Sequence, residues 1–152
     1  MSFARQCGHG ADCEVKMFQE PNSKERPDGL IYWSNGKHTL FDVRGYDPLA
    51  PSYISMGPEA KAKEAELSKK RKYVNTGKKR FPDLEFKAFI FSTLSGLSQE
   101  AKKLVQDLAR TGPVSRDMDF KKMAQQELAA ISVSIQNDNA SIIRASFAEA
   151  QL

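Results

Sequence analysis

Asp28 and Asp42 stand on either side of Ser34-Asn35-Gly36, with strand-like runs over 29–33 and 37–44 flanking that tripeptide. A three-residue loop with Gly36 in the left-handed position sets Trp33 against Lys37 and Asp28 against Asp42. Directly opposed residues hold their Cβ atoms roughly 4.5–5.5 Å apart, so both carboxylates can ligate one divalent cation or share one proton. Aspartate is a poor strand former, and a facing pair therefore points to chemistry. A two-residue loop would shift the register by one and send the two side chains to opposite faces. A further alternative is that Asp28 merely ends the turn after Pro27 while Asp42 faces solvent.

A second feature is charge. Nine basic residues and two acidic ones fall between Lys61 and Arg80, a local +7 in a chain whose net charge is +4, which leaves −3 elsewhere. A weakly acidic body with one concentrated basic strip suits a partner that presents phosphates, and a solvated helix face is the alternative. Weaker candidates are Cys7, His9 and Cys13 as incomplete zinc ligands, His38 as a base near the turn, and Glu20 as a third carboxylate. Trp33 and Tyr32 are expected to pack the hairpin.

The elements that must position these residues are legible in outline. A length of 152 residues with 40% hydrophobic content fits a single core and excludes collagen-like or wholly disordered chains. No apolar run approaches the roughly 20 residues of a membrane span, the first residues do not form a signal peptide, and two cysteines close together near the N-terminus suit a reducing, intracellular compartment. Residues 14–20 read as a strand, and 47–58, with three prolines, as an extended loop. Residues 59–74 lack Gly and Pro and form a helix carrying most of the basic cluster.

Residues 83–93 alternate and then become continuously apolar, as a strand does on entering a core. Ser98 caps a helix running to about Arg110. Phe120, Met123, Ala124, Leu128, Ile131 and Ile135 lie at helical spacing, Asn137-Asp138-Asn139 ends that helix, and Ser141 starts a last short one. Strands first and helices later give an α+β or α/β class.

Arg26-Pro27-Asp28, thirteen intervening residues, then Asp42-Val43-Arg44 has the spacing of the PD-(D/E)XK nuclease motif, with Arg44 in place of the lysine. An arginine stays protonated and cannot serve as a base. The run Asp42-Val43-Arg44-Gly45-Tyr46-Asp47-Pro48-Leu49-Ala50-Pro51-Ser52-Tyr53, followed by a helix ending Lys69-Lys70-Arg71-Lys72-Tyr73, resembles the restriction-like endonuclease domain of LINE-type non-LTR retrotransposons. In that family an Arg/Lys-Pro-Asp strand, a second strand with Asp, a loop of this kind and a Lys-x-x-Lys-Tyr helix follow in this order. The similarity spans residues 20–110 and, more loosely, 131–145.

The resemblance implies a PD-(D/E)XK core over residues 1–113, with a central mixed sheet and flanking helices, and a helical extension over 114–152. It leaves residues 1–10 for the family's N-terminal helix, so an excised domain or a stand-alone relative is implied. It further implies an intracellular, nuclear DNA endonuclease using Mg²⁺ or Mn²⁺, without an organic cofactor or a membrane. Such an enzyme nicks target DNA so that an adjoining reverse transcriptase can prime on it. By position, Asp28 and Asp42 match the metal-binding aspartates, and Lys69, Lys72 and Tyr73 match the helix motif that supplies a displaced lysine.

Arg26, Arg44, Lys61, Lys63, Lys70, Arg71, Lys78, Lys79 and Arg80 are expected along the DNA backbone. Helical geometry puts Ala62, Ala65, Lys69, Lys72 and Tyr73 on one stripe and Ala60, Leu67, Arg71 and Val74 on the opposite one. Either can face the sheet by pattern, and the resemblance favours the first. Rival readings are a nuclease-like scaffold that binds without cutting and another PD-(D/E)XK enzyme, of junction-resolving or repair type.

Overall fold

The computed structural model describes residues 2–13, 27–51, 57, 60, 63–71, 83–112 and 119–149. The strand expected over 14–20, with Glu20, lies outside them, as do Arg26, Lys61, Lys72, Tyr73, Lys78, Lys79 and Arg80. The protein is a mixed α/β fold. Helix α1 (Ser2–Gln6) and strands β1 (Gly10–Cys13), β2 (Gly29–Tyr32) and β3 (His38–Tyr46) are followed by α2, described over residues 63–71. Strand β4 (Leu84–Ser92), α3 (Gln99–Thr111) and α4 (Phe120–Glu149) complete the order. The sheet runs β1-β2-β3-β4, antiparallel except for the parallel β3–β4 pair.

The hairpin forms because its loop chemistry is local. Trp33 N donates to Lys37 O at 2.9 Å, Gly36 N donates to Trp33 O at 3.0 Å, and Asn35 Oδ1 accepts from Lys37 N at 3.1 Å. Gly36 has φ +80°, a conformation that only glycine adopts without a Cβ penalty. The loop thereby fixes the pairs Tyr32↔His38 through Gly29↔Phe41. β1, with the sequence Gly-Ala-Asp-Cys, gives no alternating signal, and Arg5 anchors it through two hydrogen bonds to Ala11 O.

Side chains alternate across the sheet and divide the core in two. Leu30, Leu40, Phe86, Ala88 and Ile90 pack on one face with Ala65 of α2. Ile31 and the partly buried Phe41 and Phe89 pack on the other with Phe3 of α1 and Leu104 and Leu108 of α3. Among the described strands β4 lies at the edge of the sheet, and three hydrogen bonds cover part of its outer side, as an edge favours. Ser92 N donates to Gly96 O at 2.7 Å, Ser98 N to Ile90 O at 2.9 Å, and Ala88 N to Glu100 Oε2 at 3.1 Å. Ser98 also caps α3, its hydroxyl accepting from Ala101 N at 3.2 Å.

α4 corrects the expectation of a break at 137–139. It runs unbroken for 30 residues, because its polar residues find partners on the turn after β4. Gln136 Nε2 donates to Ser95 Oγ at 2.6 Å, Ser95 Oγ donates to Ser132 O at 3.1 Å, and Asn139 Nδ2 donates to Thr93 O. The expected apolar stripe packs on the core through buried Ala124 and half-buried Phe120, Met123, Leu128 and Ile131.

Candidate active site

On β3 the even-numbered residues share the face covered by α2. Asp42 lies there between Leu40 of the core and exposed Arg44, and is itself only 3% exposed. The pairing Gly29↔Phe41 ends β2, and its continuation sets Asp28 level with Asp42 on the same face. Asp28 is exposed, and its Oδ2 accepts a hydrogen bond from Val43 N at 2.6 Å. One aspartate is thus buried in the floor, and the other is tied to the backbone next to it.

α2 presents its alanine stripe to the sheet. Ala65 is 7% exposed whereas Leu67 is 47% exposed, which resolves the choice that pattern left open. One turn beyond Ala65, Lys69 Nζ pairs with Asp42 Oδ2. Lys70, expected to track phosphates, is turned elsewhere: its Nζ lies 2.7 Å from Glu100 Oε1. Consecutive helical residues point about 100° apart, so the setting that aims Lys69 at β3 aims Lys70 at the first turn of α3. Lys63 and Arg71 are exposed on the same helix.

Glu100 is the residue that sequence reasoning missed. Its position in the first turn of a Ser-capped helix is visible in the sequence but reads as a helix-dipole contact. Its reach to Ala88 N and Lys70 depends on how α3 meets β4. Tyr46, on the same face, has its phenol pushed up by burial. Tyr32 is pushed up by burial first and then by Asp12, whose Oδ2 accepts its hydroxyl at 2.9 Å. Both therefore remain neutral phenols.

The weaker candidates that fall among the described residues are placed away from this cluster. Cys7 is buried, its thiol pushed up by burial and then by the Glu127 carboxylate, while Cys13 is exposed. Buried His9 has Nε2 3.2 Å from Leu108 O and its ring edge-on to Trp33. His38 sits at the turn end of the hairpin against Tyr32, four residues from Asp42 and so roughly 13 Å along the strand.

Among the described residues no group of three or more His, Cys, Asp or Glu side chains converges on a common point. The donor set at Asp28 and Asp42 is two hard carboxylates. That suits Mg²⁺ or Mn²⁺, which commonly takes one or two carboxylates and completes its shell with waters and substrate phosphates. No protein-family model and no curated protein sequence matches the chain. No helix among the described residues is long and apolar enough to cross a membrane.

Proposed function

We propose that the protein is a metal-dependent DNA endonuclease of the PD-(D/E)XK type, nicking target DNA for insertion by target-primed reverse transcription. The observation that carries this reading is the pairing of Lys69 with Asp42 on the face that Asp28 shares. A Pro-Asp entry to one strand, an aspartate in the next, and a lysine returning from the following helix is the order of parts in the resemblance. The mixed sheet with helices on both faces agrees with it.

In this reading Asp28 and Asp42 hold the ion through carboxylate oxygens. When bound, Mg²⁺ or Mn²⁺ polarises the phosphate and makes a coordinated water more acidic. The Val43 N–H orients Asp28, and burial restricts Asp42 to one direction. Lys69 balances the aspartates before substrate arrives and offers its ammonium to the phosphoryl oxygens as charge builds on them. Arg44 stays protonated and neutralises the flanking phosphate. Lys63 and Arg71, with the basic residues outside the described regions, follow the backbone, and the products are a 5′-phosphate and a 3′-hydroxyl.

The test is incubation with supercoiled plasmid in Mg²⁺ or Mn²⁺. Wild type is expected to give open circles, while Asp28→Ala and Asp42→Ala give none and bind DNA with near wild-type affinity. Full nicking by both variants would end the proposal. A second reading, a nuclease-like scaffold that binds without cutting, is favoured by the counter-ion that Lys69 already supplies to Asp42. Calorimetric titration with Mn²⁺ separates the two, since the scaffold takes up no ion.

A further inference from the structure

Glu100 stands where three elements meet. Its Oε2 accepts from Ala88 N at 3.1 Å and its Oε1 lies 2.7 Å from Lys70 Nζ, with 13% of its side chain exposed. Ala88 is the cross-strand partner of Asp42. Asp42, Ala88 and Glu100 therefore lie in one row across the sheet and its β4 edge, and α2 spans that row with two consecutive lysines. Lys69 reaches the inner carboxylate and Lys70 the outer one.

Two adjacent side chains held in different directions fix the rotation of a helix about its own axis. A single ion pair would leave that rotation soft. The Glu100 end is the rigid one, because Ser98 caps the helix that carries it and the Ala88 amide holds its second oxygen. Lys70, 39% exposed, would otherwise be a mobile surface charge worth little to stability.

We infer that Glu100 is a positioning residue: through Lys70 it sets the rotation of α2 and so holds Lys69 against Asp42. The role rests on the endonuclease reading for its catalytic consequence and on the geometry alone for its structural one. Glu100→Gln is the informative change, since the amide oxygen still accepts from Ala88 N while the charge facing Lys70 is lost. Lys70→Met removes the same pair from the other side.

The experiment reads the reactivity of Lys69 towards an amine-acylating reagent by mass spectrometry, in parallel with plasmid nicking and thermal unfolding. Its pairing with Asp42 is expected to protect Lys69 in wild type, and its labelling rate is expected to rise several-fold in Glu100→Gln and in Lys70→Met. In nicking, kcat falls while KM for DNA stays near wild type, and the unfolding midpoint changes little. A merely structural role predicts the reverse, a lowered midpoint with Lys69 labelling unchanged, and that result would overturn the inference.

Should wild type fail to nick while Lys69 labelling still responds to Glu100→Gln, the positioning role holds and the endonuclease reading fails. Unchanged labelling in both variants, with nicking intact, rejects the positioning role and leaves the nuclease standing.

Discussion

Lys69 on α2 and Asp42 on β3 form an ion pair on the floor of the site, with 22% of the lysine side chain and 4% of the aspartate side chain exposed. The two partners have unequal access to water. Coulombic attraction between them is the same seen from either end, but the cost of losing a partner is larger for the more buried charge.

Lys69→Met is therefore expected to destabilise the fold by about 3 kcal/mol. Asp42→Ala should cost on the order of 1 kcal/mol, because the lysine can turn to solvent. The double variant should be less destabilised than the sum of the singles, a coupling that urea unfolding of all four proteins measures. Strict additivity would mean that the pair contributes nothing.

The hairpin register rests on Gly36. Gly36→Ala is expected to cost about 1 kcal/mol, since φ +80° burdens any residue with a Cβ. Deleting one loop residue should do more, shifting the register by one, removing Asp28 from the face of Asp42 and abolishing nicking. Retained nicking by the deletion variant would show that the two aspartates need not face each other.

DNA affinity should fall steeply with salt. Lys63→Ala and Arg71→Ala alter exposed charges of α2, and each is expected to lower the slope of log K against log salt by about 0.9 if it meets one phosphate. Filter binding between low and moderate salt gives the slope. Lys70→Ala should change the slope less, its ammonium being engaged by Glu100.

Burial raises the carboxyl pKa of Glu127 above its ordinary 4.5. The folded state thus binds its proton more tightly than the unfolded state does. Stability from this group is fully present below pH 4.5 and is lost as pH rises through the folded value. Glu127→Gln removes that loss, so its unfolding midpoint should exceed wild type at pH 7 and converge with it below pH 4.5. A constant difference across that range would place the effect elsewhere.

What the sequence shows and what it conceals follows from the range of the interactions. The Ser34-Asn35-Gly36 loop, the Ser98 cap and the β4 run were legible because each depends on neighbours in the chain. The continuity of α4 was not. Asn139 carries a poor helix propensity, and the carbonyl of Thr93 that it bonds is remote in sequence. β1 was hidden because a four-residue Gly-Ala-Asp-Cys strand owes its place to pairing with β2. The Lys70–Glu100 ion pair was not legible for a like reason, since Glu100 becomes a neighbour only when α3 folds onto β4.

The sequence alone pointed to a three-residue loop with Gly36 in the left-handed position, the geometry that sets Asp28 level with Asp42, and the structure has that loop and its register. Only the tertiary structure decided which stripe of α2 meets the sheet, and with it that Lys69 pairs with Asp42. The two stripes of α2 carry comparable apolar character, and local energetics do not choose between them. The choice falls to the sheet, whose core beside Asp42 is lined by Ala88 and accepts the small Ala65. That face brings Lys69 inward and leaves Leu67 in water.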